Sequence, residues 1–220
     1  MSIFEVKNVD YEYKSKYQTV KALTDISYEF ESGCFHAIVG RSGSGKTTLL
    51  SLLAGLDLPT EGEILFDGKA TKDIDRSELR RKDISVIYQS FNLFPLLTAR
   101  ENVMYPMQLN KVPKKEAEKR AEELLLSVGL KEKIFKQFPK MMSGGEQQRV
   151  AVARALACES KVILADEPTG NLDSENGKTV IKILKSLAHD KGKCVIVITH
   201  DEGIAEGADR VLRISDGKVS

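Results

Sequence analysis

Three short stretches of the chain hold residue types at spacings that can do chemistry. The first is GRSGSGKTT, residues 40–48, which follows the pattern G-x-x-x-x-G-K-[ST]. Gly40, Gly43 and Gly45, with Arg41, Ser42 and Ser44 between them, let successive backbone N–H groups turn inward around phosphate oxygens. Lys46 adds a point charge for β- and γ-phosphates, the Thr47 hydroxyl is placed to ligate Mg²⁺, and Thr48 continues into the next element. The competing reading is a glycine-rich turn. With glycine at about 7% of residues, the fixed positions would match by chance in roughly one chain in a hundred. The context argues further against chance, because an apolar strand, FHAIV, precedes the run and the helical KTTLLSLLAGL follows it.

The second stretch, KVILADEPTGNLD, is an apolar run ending in Asp166 and Glu167. Beside a phosphate loop, Asp166 would hold Mg²⁺ through its water shell and Glu167 would orient or deprotonate an attacking water. Without that loop, an acidic strand end capping the next turn would be an equal reading. The third stretch, MSGGEQQR, opens a second glycine-rich helix start. Read alone it is a capping box, with Ser143 accepting from the backbone near Glu146 and Glu146 reaching back to the Ser143 amide.

These residues need elements to position them. Apolar runs bounded by turn residues recur at 35–39, 84–88, 161–165, 194–199 and 210–214, and several are too continuous for half-exposed strands. Helical patterns between them, at about 45–55, 145–157, 175–189 and 201–208, give the alternation of a doubly wound α/β sheet. The middle departs from it. Residues 92–157 read as a helical insert, with charged and apolar faces in KKEAEKRAEELLLSVGL and Gly129 at a C-cap. The first 30 residues alternate apolar and polar side chains, as appended antiparallel strands do.

At 220 residues, 41% hydrophobic and 30% charged, the chain has the composition of one globular domain with a single sizeable core. Thirty-three basic against 32 acidic residues leave +1, so charge argues for no nucleic-acid partner. Cys34, Cys158 and Cys194 lie far apart without metal spacing and read as core residues of a reducing compartment. The N-terminus lacks the apolar stretch of a signal peptide and no run approaches a membrane span, so a cytoplasmic location is expected. His36 and His189 read as structural or solvated.

With the phosphate loop and the acidic strand fixed, the whole chain resembles the ATP-binding subunits of ABC transporters, and MSGGEQQR resembles their signature loop. Tyr13, the loop at 40–48, Gln89, the signature, Asp166 with Glu167, Asp173 in GNLD, and His200 in VITHD stand in that family's order. The resemblance implies an α/β fold with a P-loop NTPase (RecA-like) core, an N-terminal antiparallel β subdomain and an inserted helical subdomain. The core would be 1–91 with 158–220, and the helical signature subdomain 92–157. It implies ATP and Mg²⁺ as ligands, with Tyr13 stacking on adenine, Gln89 linking Mg²⁺ and the attacking water to the insert, and His200 on the γ-phosphate.

Two copies would close head to tail, so that Ser143, Gly144 and Gly145 of one meet the γ-phosphate held by the other, with Asp173 counted among the nucleotide-binding residues. Met142 for Leu and Glu146 for Gln are mild departures from the commonest signature and leave Ser143 and the glycines in place. QSFNLFPLLTARENV, GEQQRVAVARALA and ADEPTGNLDS resemble more closely the ATPases of the macrolide-exporter and lipoprotein-release group, with its cell-division relatives. That group implies a transmembrane permease partner, and hence a peripheral place on the inner face of the membrane. The excess of apolar side chains in residues 90–106 (Phe91, Leu93, Phe94, Leu96, Leu97) is the expected docking region, although some of these must pack the insert onto the sheet. An importer-type ATPase and a non-transport ABC switch are the alternative readings.

Overall fold

A computed structural model describes all 220 residues. The chain begins with β1 (Ser2–Lys14), β2 (Thr19–Glu31) and β3 (Phe35–Val39), followed by α1 (Lys46–Leu53), β4 (Glu61–Phe66), β5 (Lys69–Ala70), α2 (Arg76–Lys82) and β6 (Ile84–Ile87). Three helices come next, α3 (Ala99–Leu109), α4 (Lys114–Ser127) and α5 (Gly144–Ala157). The last part alternates β7 (Val162–Asp166), α6 (Ser174–His189), β8 (Cys194–Thr199), α7 (Glu202–Glu206), β9 (Arg210–Ser215) and β10 (Lys218–Val219).

Two sheets result. One is antiparallel, in the order β2-β1-β4-β5, and the other runs β10-β9-β3-β8-β7-β6, parallel except for the edge strand β10. Every residue of β3 and β8 is buried, which is why FHAIV and CVIVIT read as unbroken apolar runs: both faces of this sheet are covered. On one face Ile38, Leu164 and Ile196 pack with Leu49 and Leu53 of α1 and with Phe4 and Phe30 of the antiparallel sheet. On the other, Phe35, Ile163 and Val195 pack with Val180 and Leu184 of α6 and Val150 of α5. Helices α3 and α4 attach to that second face through α5, burying Val103, Met107, Ala117, Ala121 and Leu125.

The strands and helices expected from the pattern are present, with boundaries unchanged or shifted by one or two residues. Residues 92–157 are not continuously helical, because 92–98 and 128–143 run as turns and short 3₁₀ segments between the three helices. Elements β4, β5 and α2 were not legible. Helix α2, RSELRRK, buries only Leu79, so it has no apolar face to read; Asp75 caps it by accepting from the Ser77 and Glu78 amides. His36 is fully buried, accepts the Glu31 N–H at 3.0 Å on Nε2, and has its pKa pulled down by that burial. His189 closes α6 with Nε2 2.8 Å from the Asp209 carboxylate. No helix is long and apolar enough to cross a membrane.

Candidate functional site

The strand order β3-β8-β7-β6 decides where the chemistry gathers. These strands are parallel neighbours, so the loop at 40–48 after β3, His200 after β8, Asp166 and Glu167 at the end of β7, and Gln89 after β6 all fall along one carboxyl edge. Open α/β sheets bind their ligands at that edge.

The loop at 40–48 has glycines where nothing else fits. A Cβ at Gly40 would lie 2.1 Å from the Ile214 carbonyl oxygen, and Gly45, at φ 104, has the Ala22 carbonyl oxygen 2.6 Å from where its Cβ would be. Gly45 occupies the N-cap of α1 with no capping side chain, and the first turn has no acid, so the helix's leading amides are left for an external acceptor. Lys46 is 8% exposed, and its Nζ donates to the Gly40 and Arg41 carbonyls, each at 2.8 Å. Ser44 Oγ is buried without a partner. An orphaned hydroxyl, uncapped amides and a converging ammonium are the donor set that a polyphosphate would satisfy. Arg41, Ser42, Gly43 and Thr47 are exposed on the rim of the loop, and Thr48 is buried. The Tyr13 hydroxyl sits 3.1 Å from Thr48 Oγ1, and its half-exposed ring stands edge-on to Tyr11, so β1 delivers an aromatic face beside the start of α1.

Across the edge, burial and then the neighbouring Glu167 push the Asp166 carboxyl pKa up, with Lys46 opposing both. Glu167 leaves the strand in the left-handed region at φ 46, while its amide still bonds the Ile198 carbonyl at 3.0 Å. Such a conformation costs a non-glycine residue about 1–3 kcal/mol. It turns the carboxylate to within 2.9 Å of His200 Nδ1. The Gln89 carbonyl accepts from Asn171 Nδ2 at 3.0 Å, and its side-chain amide rests against Gly170, where a Cβ would be 2.7 Å away.

The second glycine-rich start is built differently. Ser143 Oγ accepts from the Glu146 amide at 3.3 Å and Glu146 Oε2 accepts from the Ser143 amide at 2.8 Å, the capping box expected. Gly145 packs so tightly that a Cβ would come within 2.6 Å of the Asn176 side chain, and Gly144 faces the Phe91 ring. No hydrogen bond joins residues 143–145 to the loop at 40–48 within the chain. Asp173, expected among the nucleotide-binding residues, spends its carboxylate here as the N-cap of α6, accepting from the Asn176 amide at 2.9 Å and Nδ2 at 2.6 Å. Four residues that sequence reading missed tie these parts together. Arg149 donates to Asn176 Oδ1 at 2.5 Å, Gln148 donates to the Pro168 carbonyl at 2.8 Å, and Asn171 and Asn176 hold the bonds already described. The available signal was the polar turn EQQR at the start of an otherwise apolar helix.

Residues 23–170 match the ABC transporter family, and the chain belongs to it. It is 44% identical over 217 residues to the Bacillus subtilis protein named uncharacterized ABC transporter ATP-binding protein YclH, covering 99% of this chain and 95% of that one. The macrolide export ATP-binding/permease protein MacB of Mannheimia succiniciproducens is 43% identical over the whole of this chain, which spans 34% of MacB. Among solved structures, the post-hydrolysis dimer of the cassette MJ0796 bound to ADP and Pi superposes with a TM-score of 0.92 at 41% identity, covering 99% of this chain and 96% of that one. MJ0796 comes from Methanocaldococcus jannaschii. The fold is that of a P-loop NTPase cassette, and the chain is an ATP-binding, ATP-hydrolysing protein of this family.

The reciprocal cap at Ser143 yields a stability test. Ser143→Ala is expected to cost about 1 kcal/mol. Glu146→Ala in the same background should then cost little more, because each residue's bond belongs to the same local box. Thermal unfolding of the two single variants and the double variant measures this, and a double variant that loses the sum of the two would show that the side chains act independently.

Proposed function

We propose that this chain is the ATPase subunit of a membrane ABC system, closing head to tail with a second copy around two ATP molecules. The observation that carries the reading is the one just described: the signature residues Ser143, Gly144 and Gly145 have no hydrogen bond to their own phosphate loop, which supports a reading in which they serve the nucleotide of a second chain. The MJ0796 dimer, with ADP and Pi, supports the same assembly.

Within each half, Gly40, Arg41, Ser42, Gly43, Ser44, Gly45, Lys46, Thr47 and Thr48 hold the triphosphate, and Tyr13 offers its ring to the adenine. Mg²⁺, held by Thr47, Asp166 and Gln89, would supply neutralisation of charge building on the phosphates. Glu167 is the general base that takes the proton of the attacking water. His200 orients that carboxylate and lies beside the γ-phosphate. Residues 92–157 form the signature subdomain and 1–91 with 158–220 the core. The 90–106 region receives a cytoplasmic helix of a transmembrane permease. Phe94, Leu96 and Tyr105 are exposed there, and Leu56 is exposed across a cavity of about 300 Å³ lined mostly by apolar side chains. Such a partner would hold the protein at the inner face of the membrane.

Three measurements test this. Glu167→Gln keeps the side chain's shape but cannot accept a proton, so turnover should fall about 10²- to 10⁴-fold with ATP binding intact. Full turnover would remove Glu167 from that role, and lost nucleotide binding would show general damage instead.

Charged substitutions at Phe94, Leu96 and Tyr105 should abolish co-purification with the transmembrane permease subunit proposed as its partner while sparing ATP binding. Co-purification that survives all three puts the docking surface elsewhere.

For the assembly, two tagged forms, Lys46→Ala and Ser143→Arg, are co-expressed and the mixed dimer purified. Both lesions then fall on one shared site, leaving the other whole, so the mixed dimer should trap one nucleotide and each parent dimer none. A site built within one chain predicts none in any of them.

A further inference from the structure

Arg154 lies near the far end of the helix that Ser143 caps, about 15 Å along its axis from Gly144. Its half-buried guanidinium pairs with no carboxylate. It donates instead to two successive backbone carbonyls, Nη1 to Asn92 at 2.7 Å and Nη2 to Phe91 at 3.0 Å, and lies 5.9 Å from the centre of the Phe94 ring. A half-buried cation whose hydrogen bonds go only to main-chain oxygens spends its charge on the backbone, although burial disfavours the charged form and pulls this guanidinium's pKa below its ordinary value.

The carbonyls it holds are themselves unusual. Phe91 and Asn92 both sit in the left-handed region, at φ 61 and 46, and a pair of non-glycine residues stays there only when its surroundings hold it. This turn begins two residues after Gln89. Its Phe91 ring covers Gly144, at the start of the signature helix. Downstream, Asn102 bolts the same segment to α3, accepting the Phe94 amide at 2.8 Å and donating to the Phe94, Leu97 and Thr98 carbonyls. Phe94, Tyr105 and Arg154 all line the cavity beneath the exposed apolar surface. Arg154, itself on the signature helix, therefore joins that helix to both the cavity and the strained turn after Gln89.

We propose that Arg154 is a positioning residue for hydrolysis: by gripping the Phe91 and Asn92 carbonyls it fixes where Gln89 rests against Gly170, three residues after the acidic pair, and it passes movement at the cavity to Gln89 and the signature helix as one unit. This rests on the reading of Gln89 as a participant in hydrolysis. Arg154 touches neither nucleotide nor water and acts only through the backbone it holds. The planar fork matters, because two carbonyls must be held at once and an ammonium offers no matching geometry.

The test is a cycle in the full-length chain: wild type, Arg154→Met, Gln89→Ala and the double variant, each assayed for kcat, for KM towards ATP and for thermal unfolding. Arg154→Met is expected to lower kcat roughly tenfold with KM within about twofold. Arg154→Lys, which keeps the charge but not the fork, should recover only part of the loss. If Arg154 acts through Gln89, the double variant turns over no more slowly than Gln89→Ala alone. Two losses that multiply, or a folded Arg154→Met with normal kcat, would overturn the proposal while leaving the role of Gln89 standing. Normal turnover in Gln89→Ala would overturn both. Should Arg154→Met fail to fold, Arg154→Lys takes its place in the cycle with the same criteria.

Discussion

Val39 stands opposite Thr199, and Asp166 stands opposite Ile198, in an unbroken parallel register. That alignment of β3, β8 and β7 sets the spacing between the phosphate loop, His200 and the acidic pair, and no other contact in the chain could replace it. A slip of one residue would send every side chain of a strand to the opposite face. Slippage is resisted because the two faces are not equivalent: Ile38, Leu164 and Ile196 fill one apolar layer and Phe35, Ile163 and Val195 the other. The apolar core thus does for the site what no polar contact within the site does, since the catalytic edge itself is held by few bonds.

Those few bonds separate two kinds of glycine-rich helix start. Helix α1 begins unfinished, with a left-handed glycine at its cap, no acid in its first turn and the orphaned Ser44 hydroxyl alongside. Helix α5 begins finished, with its box closed by Ser143 and Glu146. The first start needs an anion to complete it. The second is complete alone and keeps a donor to spare, because the Ser143 hydroxyl accepts with a lone pair and its O–H remains free to donate. A helix start built this way needs no ligand to complete it. The left-handed Glu167 belongs with α1 as a local cost borne at the reactive edge.

Much of this was legible in the residues. The loop at 40–48, the acidic strand end and the capping box each have a local grammar of glycine spacing, apolar run and cap, and the buried parallel strands announce themselves by lacking alternation. What stayed hidden was carried by long-range geometry or by residues without periodicity. Helix α2 has a single buried side chain, and β4 is a short strand whose pairing with β1 depends on chain far away in sequence. Asp173 looked like part of a nucleotide site because of its place in GNLD. Within the chain its carboxylate caps α6, a role that depends on Asn176 three residues on and that the GNLD pattern did not reveal. The bonds from Gln148, Arg149 and Arg154 cross from α5 to the loop after β7, to α6 and to the turn after Gln89, and nothing in an amphipathic pattern says which acceptor a polar side chain will reach.

In the segment from Gln89 to Leu97, such bonds add to the apolar packing of Leu93 against the core. Three side chains from three different elements, Asn171, Arg154 and Asn102, grip it through main-chain carbonyls, while Phe94 and Leu96 remain turned outward. Apolar contacts are many and non-directional, so a segment held by them loosens gradually. Hydrogen bonds are few and directional, so a segment held by them changes arrangement in steps. The proposed docking surface would have to receive a partner and still report to a nucleotide some distance away, which calls for the second kind of attachment. On the proposal made for Arg154, releasing the guanidinium would also release the left-handed backbone of Phe91 and Asn92, so the local cost would favour the step in that direction. The same feature that costs stability in this arrangement would then help to populate the second one that coupling requires.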